Sequence, residues 1–181
     1  MESFEHVTRV WMETQGYVVS SGVKFPVRLR TKKKAQEEYQ VHGYEIDLVG
    51  ARRNKLILVN VKSYFGSHGL TLERLEKEKL FGNSIVLDGV LEGAMNRYGF
   101  KKNLIELWVV AGKVTSGRRT KIESFLKHFA ASHRLKTKLI TVETIAEGLA
   151  SQATKKMYIN DPVIATVKCL HAAKLLPAHR D

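Results

Sequence analysis

Residues 44–64, YEIDLVGARRNKLILVNVKSY, set two apolar runs around a short polar turn, and each run carries polar side chains that a buried strand normally excludes. The runs at 45–50 and 56–63 are rich in Ile, Leu and Val and read as β-strands joined by ARRNK. With Arg53 and Asn54 as a two-residue loop, Arg52 lies opposite Lys55, Asp47 opposite Asn60, and Glu45 opposite Lys62. Side chains alternate along a strand, so Glu45, Asp47, Asn60 and Lys62 are expected on one face. Ile46, Leu48, Val59 and Val61 then take the opposite face and enter a core.

Two chemistries fit that polar face. On a solvated face, Glu45 and Lys62 form a cross-strand ion pair and Asp47 hydrogen-bonds Asn60. Alternatively, the carboxylate and amide oxygens make a hard-cation site beside a fixed positive charge. Such donors suit Mg²⁺, which keeps several waters and recruits phosphate oxygens. It can generate hydroxide and stabilise growing phosphorane charge, while a lysine orients water or offsets that charge.

Around the hairpin, residues 3–15 read as an amphipathic helix with Ser3 as cap, Phe4, Val7, Val10 and Trp11 as its stripe, and Gly16 as its end. YVVSSGVKFPV reads as a strand with a bend. RLRTKKKAQEEYQVHG is an exposed loop or long ribbon carrying Arg28, Arg30, Lys32, Lys33 and Lys34. LTLERLEKEKLFG and SIVLDGVLEGAMNRYG are helical in composition, NLIELWVVAG is a buried strand, and SGRRTKIESFLKHFAASH is a helix. KTKLITVE is a further strand, TIAEGLAS a short helix, and Pro162 opens a last helix to Leu176. This order predicts one α/β domain with a central mixed sheet flanked by helices, in which 1–150 form the core and 151–181 a C-terminal helical extension.

Lys and Arg total 30 against 18 Asp and Glu, a net charge of +12, so a polyanion is the natural partner. The single Cys169 excludes an internal disulfide and a Cys-based zinc cluster, and it reads as a buried small hydrophobe. No apolar run approaches the roughly 18 residues of a membrane helix. MESFEHVTRV lacks the basic-then-apolar order of a secretory signal, so the expected compartment is the cytoplasm.

EIDLV followed by LILVNVKSY resembles the signature hairpin of the PD-(D/E)xK nuclease superfamily, which includes Holliday-junction resolvases, many restriction endonucleases and YraN-like proteins. Asp47, Lys62 and Ser63 match that pattern, and Glu45 matches the acid common before the Asp in YraN-like members. Glu5, in a helix ahead of GYVV, fits the N-terminal Glu many members carry. The resemblance covers residues 3–65 and implies a restriction-endonuclease-like core and Mg²⁺-dependent hydrolysis of DNA, with Mn²⁺ as substitute. Asp47 would be the principal metal ligand, Asn60 and the Val61 carbonyl secondary ligands, Glu5 or Glu45 a helper, and Lys62 the water-orienting cation. A homodimer is compatible with it, because many members cut both strands as dimers.

Asn60 departs from the pattern, which has Glu or Asp there. The site then works with a weaker ligand set completed by Glu45, Glu5 or an acid of ERLEKEK (Glu73, Glu76 or Glu78), or it is a DNA-binding site without cleavage, or Asn60 is an introduced inactivating change. Duplex or branched DNA is the expected partner. Arg28 to Lys34, Arg52, Arg53, Ser63, His68, Arg118 and Arg119 are its candidate contacts. Thr115 or Ser116 is expected to cap the helix after VTSGRRTK, and YFGSHGL to be a mobile loop at the mouth of the site.

Overall fold

The computed structural model describes residues 2–30, 39–155 and 160–175. Helix α1 (Ser3–Thr14) leads into strands β1 (Val18–Arg30), β2 (Tyr39–Arg52) and β3 (Lys55–Lys62). Helices α2 (Leu72–Lys77), α3 (Lys79–Gly82) and α4 (Ser84–Tyr98) precede β4 (Ile105–Ala111), and α5 (Arg119–His133) precedes β5 (Lys136–Thr141). Helices α6 (Val142–Ala153) and α7 (Pro162–Ala172) follow. The strands form one sheet in the order β1-β2-β3-β4-β5, antiparallel through β3 and parallel from β3 to β5. The fold is therefore α/β, a mixed sheet with helices on both faces.

Strands β3 and β4 are covered on both faces, which is why LILVNV and IELWVVA read as near-continuous apolar runs. On one face, Leu56, Leu58, Leu107 and Val109 pack with α2 to α5. On the other, Ile57, Val59, Val61, Trp108 and Val110 pack with α1, α6 and α7. Helix α6 runs past residue 150, and α7 sends Ile164 into this second cluster, so the C-terminal segment shares the core. Cys169, expected to be buried, lies on the exposed side of α7, because Val163, Ile164 and Val167 are the residues that face inward.

Helix α1 starts one residue earlier than its Ser3 suggested. Glu2 is the N-cap and Glu5 reciprocates by accepting the Glu2 N–H at 3.1 Å, a capping box. The helical composition of LTLERLEKEKLFG is interrupted at Glu78, which takes an extended backbone between α2 and α3. Among the described residues no helix is long and apolar enough to cross a membrane.

Candidate active site at the end of the hairpin

The expected register holds from Arg52–Lys55 to Leu48–Val59, and the ladder stops there. The expected flat alternation does not hold beyond it. Leu48 packs with the α1 cluster, while Ile46, two residues away, packs with the α4 cluster. In β1, Val19 likewise faces α1 while Val23, Phe25 and Val27 face α4. Both strands turn over at the same rung, where Gly22 (φ +61°) stands across from Asp47 and no backbone pair forms. A residue at ease in the left-handed region lets β1 roll this way without strain. Ile46 and Leu48 therefore serve opposite faces, contrary to the simple alternation.

The turnover brings the Asp47 carboxylate to β3. Its Oδ2 accepts the Val61 N–H at 2.6 Å, where a continuing ladder would have offered a β2 carbonyl. The side chain is half-buried, and that burial is the main cause holding its carboxyl above the usual range. The Val61 N–H and the Lys62 ammonium oppose the rise, while the negative charges of Glu5 and Glu45 add to it. Beside it Asn60 is 5% exposed, and its Oδ1 is buried with no hydrogen-bond partner. A buried carbonyl oxygen left unpaired is rare and marks a place where a ligand can be taken.

Lys62 does not pair with Glu45. Its Nζ lies 2.9 Å from Glu78 Oε1, and both side chains are largely buried. Glu45 is exposed and reaches Lys24, its cross-strand neighbour on β1, at 3.6 Å. Of the acids in ERLEKEK only Glu78 comes to the site. Glu73 is held low by its own backbone N–H and by Thr71, with help from Arg118 and Lys121, and Glu76 is exposed on α2. Tyr44 is half-buried near both acids. Its phenol is pushed up by burial first and then by the charges of Glu78 and Asp47.

Glu5 is near enough to act on Asp47, but its carboxylate is engaged in the cap of α1. The ring of Phe4 meets Phe65 edge-on at 5.0 Å, which ties that helix start to the segment after β3. There Glu2, Ser3, Phe4, Ser63 and Phe65 line an open pocket of about 450 Å³. Gly112 packs closely against this segment, since a Cβ on it would run into the Ser63 carbonyl and the Phe65 ring.

YFGSHGL is not a free flap. Leu70 N–H donates to the Lys113 carbonyl at 2.8 Å, and Lys113 Nζ donates to the Ser67 carbonyl at 2.9 Å. Thr115 Oγ1 donates to the His68 carbonyl at 2.8 Å, so Thr115 holds this loop rather than capping α5. Ser116 does not cap it either, because Arg118 is the N-cap and no side chain fills the role. His68 itself is exposed.

The arginines expected to contact DNA fall in three places. Arg28 and Arg30 lie on the β1–β2 ribbon beyond the kink, with Arg28 stacked 4.4 Å over Tyr39. Lys32, Lys33 and Lys34 lie outside the described residues. Arg118 and Arg119 start α5, where Arg119 is paired with Glu123 at 2.9 Å. Arg52 and Arg53 sit at the hairpin tip, about 23 Å from Lys62 along β3. There Arg52 donates to the Gln15 carbonyl at 2.7 Å, which closes the end of α1. The tip arginines are thus not brought to the site.

No family model matches the chain, and no curated protein matches it. Among solved structures the chain is similar to one titled "Crystal Structure of Protein of Unknown Function AF1548", with 15% identity and a TM-score of 0.47, over 95% of this chain and 77% of that one.

Proposed function

We propose that the chain is a cytoplasmic protein of restriction-endonuclease-like architecture that hydrolyses phosphodiester bonds in duplex or branched DNA with Mg²⁺, or Mn²⁺ in its place. The observation that carries this reading is the strand end at which Asp47 grips the Val61 N–H beside the buried, unpartnered Asn60 Oδ1 and the Lys62 ammonium. Asp47, Asn60 Oδ1 and the Val61 carbonyl are hard oxygen donors of the kind that divalent cation prefers. A cation held there would acidify a bound water and offset charge on the phosphate.

The chain's own groups do the rest. Asp47 is fixed by its bond to Val61, so one carboxylate oxygen stays oriented while the other is left for a ligand. Lys62 places a positive charge beside the reacting phosphate, where it can hold the attacking water and oppose the charge growing on the non-bridging oxygens. Water adds to phosphorus as the bond to the leaving sugar oxygen breaks. The Arg28–Arg30 ribbon and the Arg118–Arg119 helix start supply backbone contacts that position the nucleic acid without reading its sequence.

A second reading is a DNA-binding module that has lost turnover. It is supported by the neutral Asn60, and by the fact that among the described residues no three His, Cys, Asp or Glu side chains are grouped to hold a metal. Cleavage of linear, nicked and four-way-junction DNA by the unsubstituted chain, Asp47→Ala and Asn60→Glu separates the two. Divalent-dependent cleavage that disappears in Asp47→Ala is the expected result. Cleavage seen only in Asn60→Glu supports the disabled form, and cleavage undiminished in Asp47→Ala would move the site elsewhere.

A further inference from the structure

We infer that Glu78 is the second carboxylate of this site, supplying from the α2–α3 break the negative charge that position 60 lacks. The inference rests on the metal-site reading above. Its starting point is the backbone. Glu is a good helix former and LERLEKEKLFG contains neither Gly nor Pro before its end, so local sequence gives no reason to stop the helix at Glu78. The chain nevertheless breaks there, into helices of six and four residues, with Glu78 extended between them. The break turns its carboxylate onto Lys62 at 2.9 Å.

Charge counting gives that contact its meaning. Asp47 and Lys62 alone cancel, and Asn60 adds nothing, so those three groups would offer a cation no net attraction. Glu78 restores one negative charge. The nearby alternatives have other work: Glu5 closes the α1 cap and Glu45 faces Lys24 on the exposed ribbon. One further observation calls for a ligand at this strand end and not merely an ion pair. Asn60, two residues before Lys62 on β3, ends in a buried oxygen without a partner.

Direct Mn²⁺ titration of the full chain, followed by electron paramagnetic resonance, tests this without any turnover. Glu78→Gln should weaken Mn²⁺ at least tenfold while its thermal melt stays cooperative, and Asn60→Asp added to Glu78→Gln should restore binding to within about threefold. A Glu78→Gln chain that binds Mn²⁺ like the starting protein, or one that Asn60→Asp does not rescue, overturns the inference. Asp47→Asn separates the two levels: if it abolishes binding while Glu78→Gln does not, the site stands and Glu78 is only the partner of Lys62. If the starting chain binds no Mn²⁺, both readings fall.

Discussion

Asp47 sits where an ionised carboxylate is least welcome. Burial raises its pKa first, and Glu5 and Glu45 raise it further against the opposing Val61 N–H and Lys62. A group whose pKa is raised by folding stabilises the fold only when protonated. That contribution is complete below the unfolded value near 3.9 and is lost as pH rises through the folded value. At neutral pH the ionised Asp47 therefore burdens the fold, as functional groups often do. Asp47→Asn, which keeps an acceptor for Val61, should melt higher at pH 7, and thermal scans should show the gap closing below about pH 4. Glu106 on β4 has the opposite sign. Burial pushes its carboxyl up, but Lys55 at 2.9 Å and the Trp108 indole N–H at 3.0 Å hold it below the usual range. Its stabilisation is present above the ordinary glutamate value and is lost as pH falls through the folded one. Lys55→Met leaves that buried charge short of a partner, at a cost of about 2 kcal/mol at pH 7 by chemical denaturation, shrinking in acid as Glu106 protonates. Asp47 and Lys62 were legible in the sequence because a polar side chain inside an apolar run must be explained. Lys62 was expected to pair with Glu45, and Glu78 was legible only as one of several acids that could complete the ligand set, because no strand spacing specifies which residue a following helix returns to the sheet.

The kinked ribbon decides the site at the level of elements. The bend in YVVSSGVKFPV was readable from Gly22 inside a β-rich run, and the two-residue turn fixed the register down to Leu48–Val59. The turnover at Gly22 and Asp47 was not readable, since alternation assumes a strand that keeps one face throughout. It arises because the inner half of the ribbon joins the central sheet while the outer half lies on α4, which sits on the other side of Leu48. Gly22→Ala meets no closer neighbour than Glu45 Oε1 at 3.7 Å, so its cost is that of the left-handed backbone. That cost is about 1–2 kcal/mol, or a melting temperature lower by roughly 2–8 °C in a domain of this size. Because the same rung carries Asp47, Mn²⁺ affinity should fall with it, and a variant that loses stability but keeps full affinity would separate kink from site. The end of the chain shows the opposite limit. Pro162 marked the start of α7, but composition alone could not tell which side of VIATVKCLHAA is covered, and Cys169 emerged on the outside.

At the scale of the whole molecule, the net charge is +12, and the described arginines stand at unequal distances from the strand end that holds Asp47 and Lys62. Arg28 and Arg30 extend from the kink along an exposed ribbon face, while Arg52 and Arg53 stand at the far end of β3. Each phosphate neutralised contributes about −0.9 to the slope of log affinity against log salt. DNA binding by Arg28→Ala/Arg30→Ala should thus show a slope shallower by about 2, measured by fluorescence anisotropy across a salt series. Arg52→Ala/Arg53→Ala should leave the slope unchanged and lower the melting temperature through the lost bond to Gln15. The order of helices and strands was largely visible from periodicity, because β3 and β4 are near-continuous apolar runs and the helices are striped. Which charges share a face was not, because that depends on the turnover of one rung. The most direct measurement is an anomalous difference map from crystals of the full chain soaked in Mn²⁺. The expected result is a single peak within about 2.5 Å of Asp47 and Asn60 Oδ1. A map with no peak there, or with Mn²⁺ bound only at the Glu106 or Glu123 end of the sheet, would contradict the assignment of this strand end as the site.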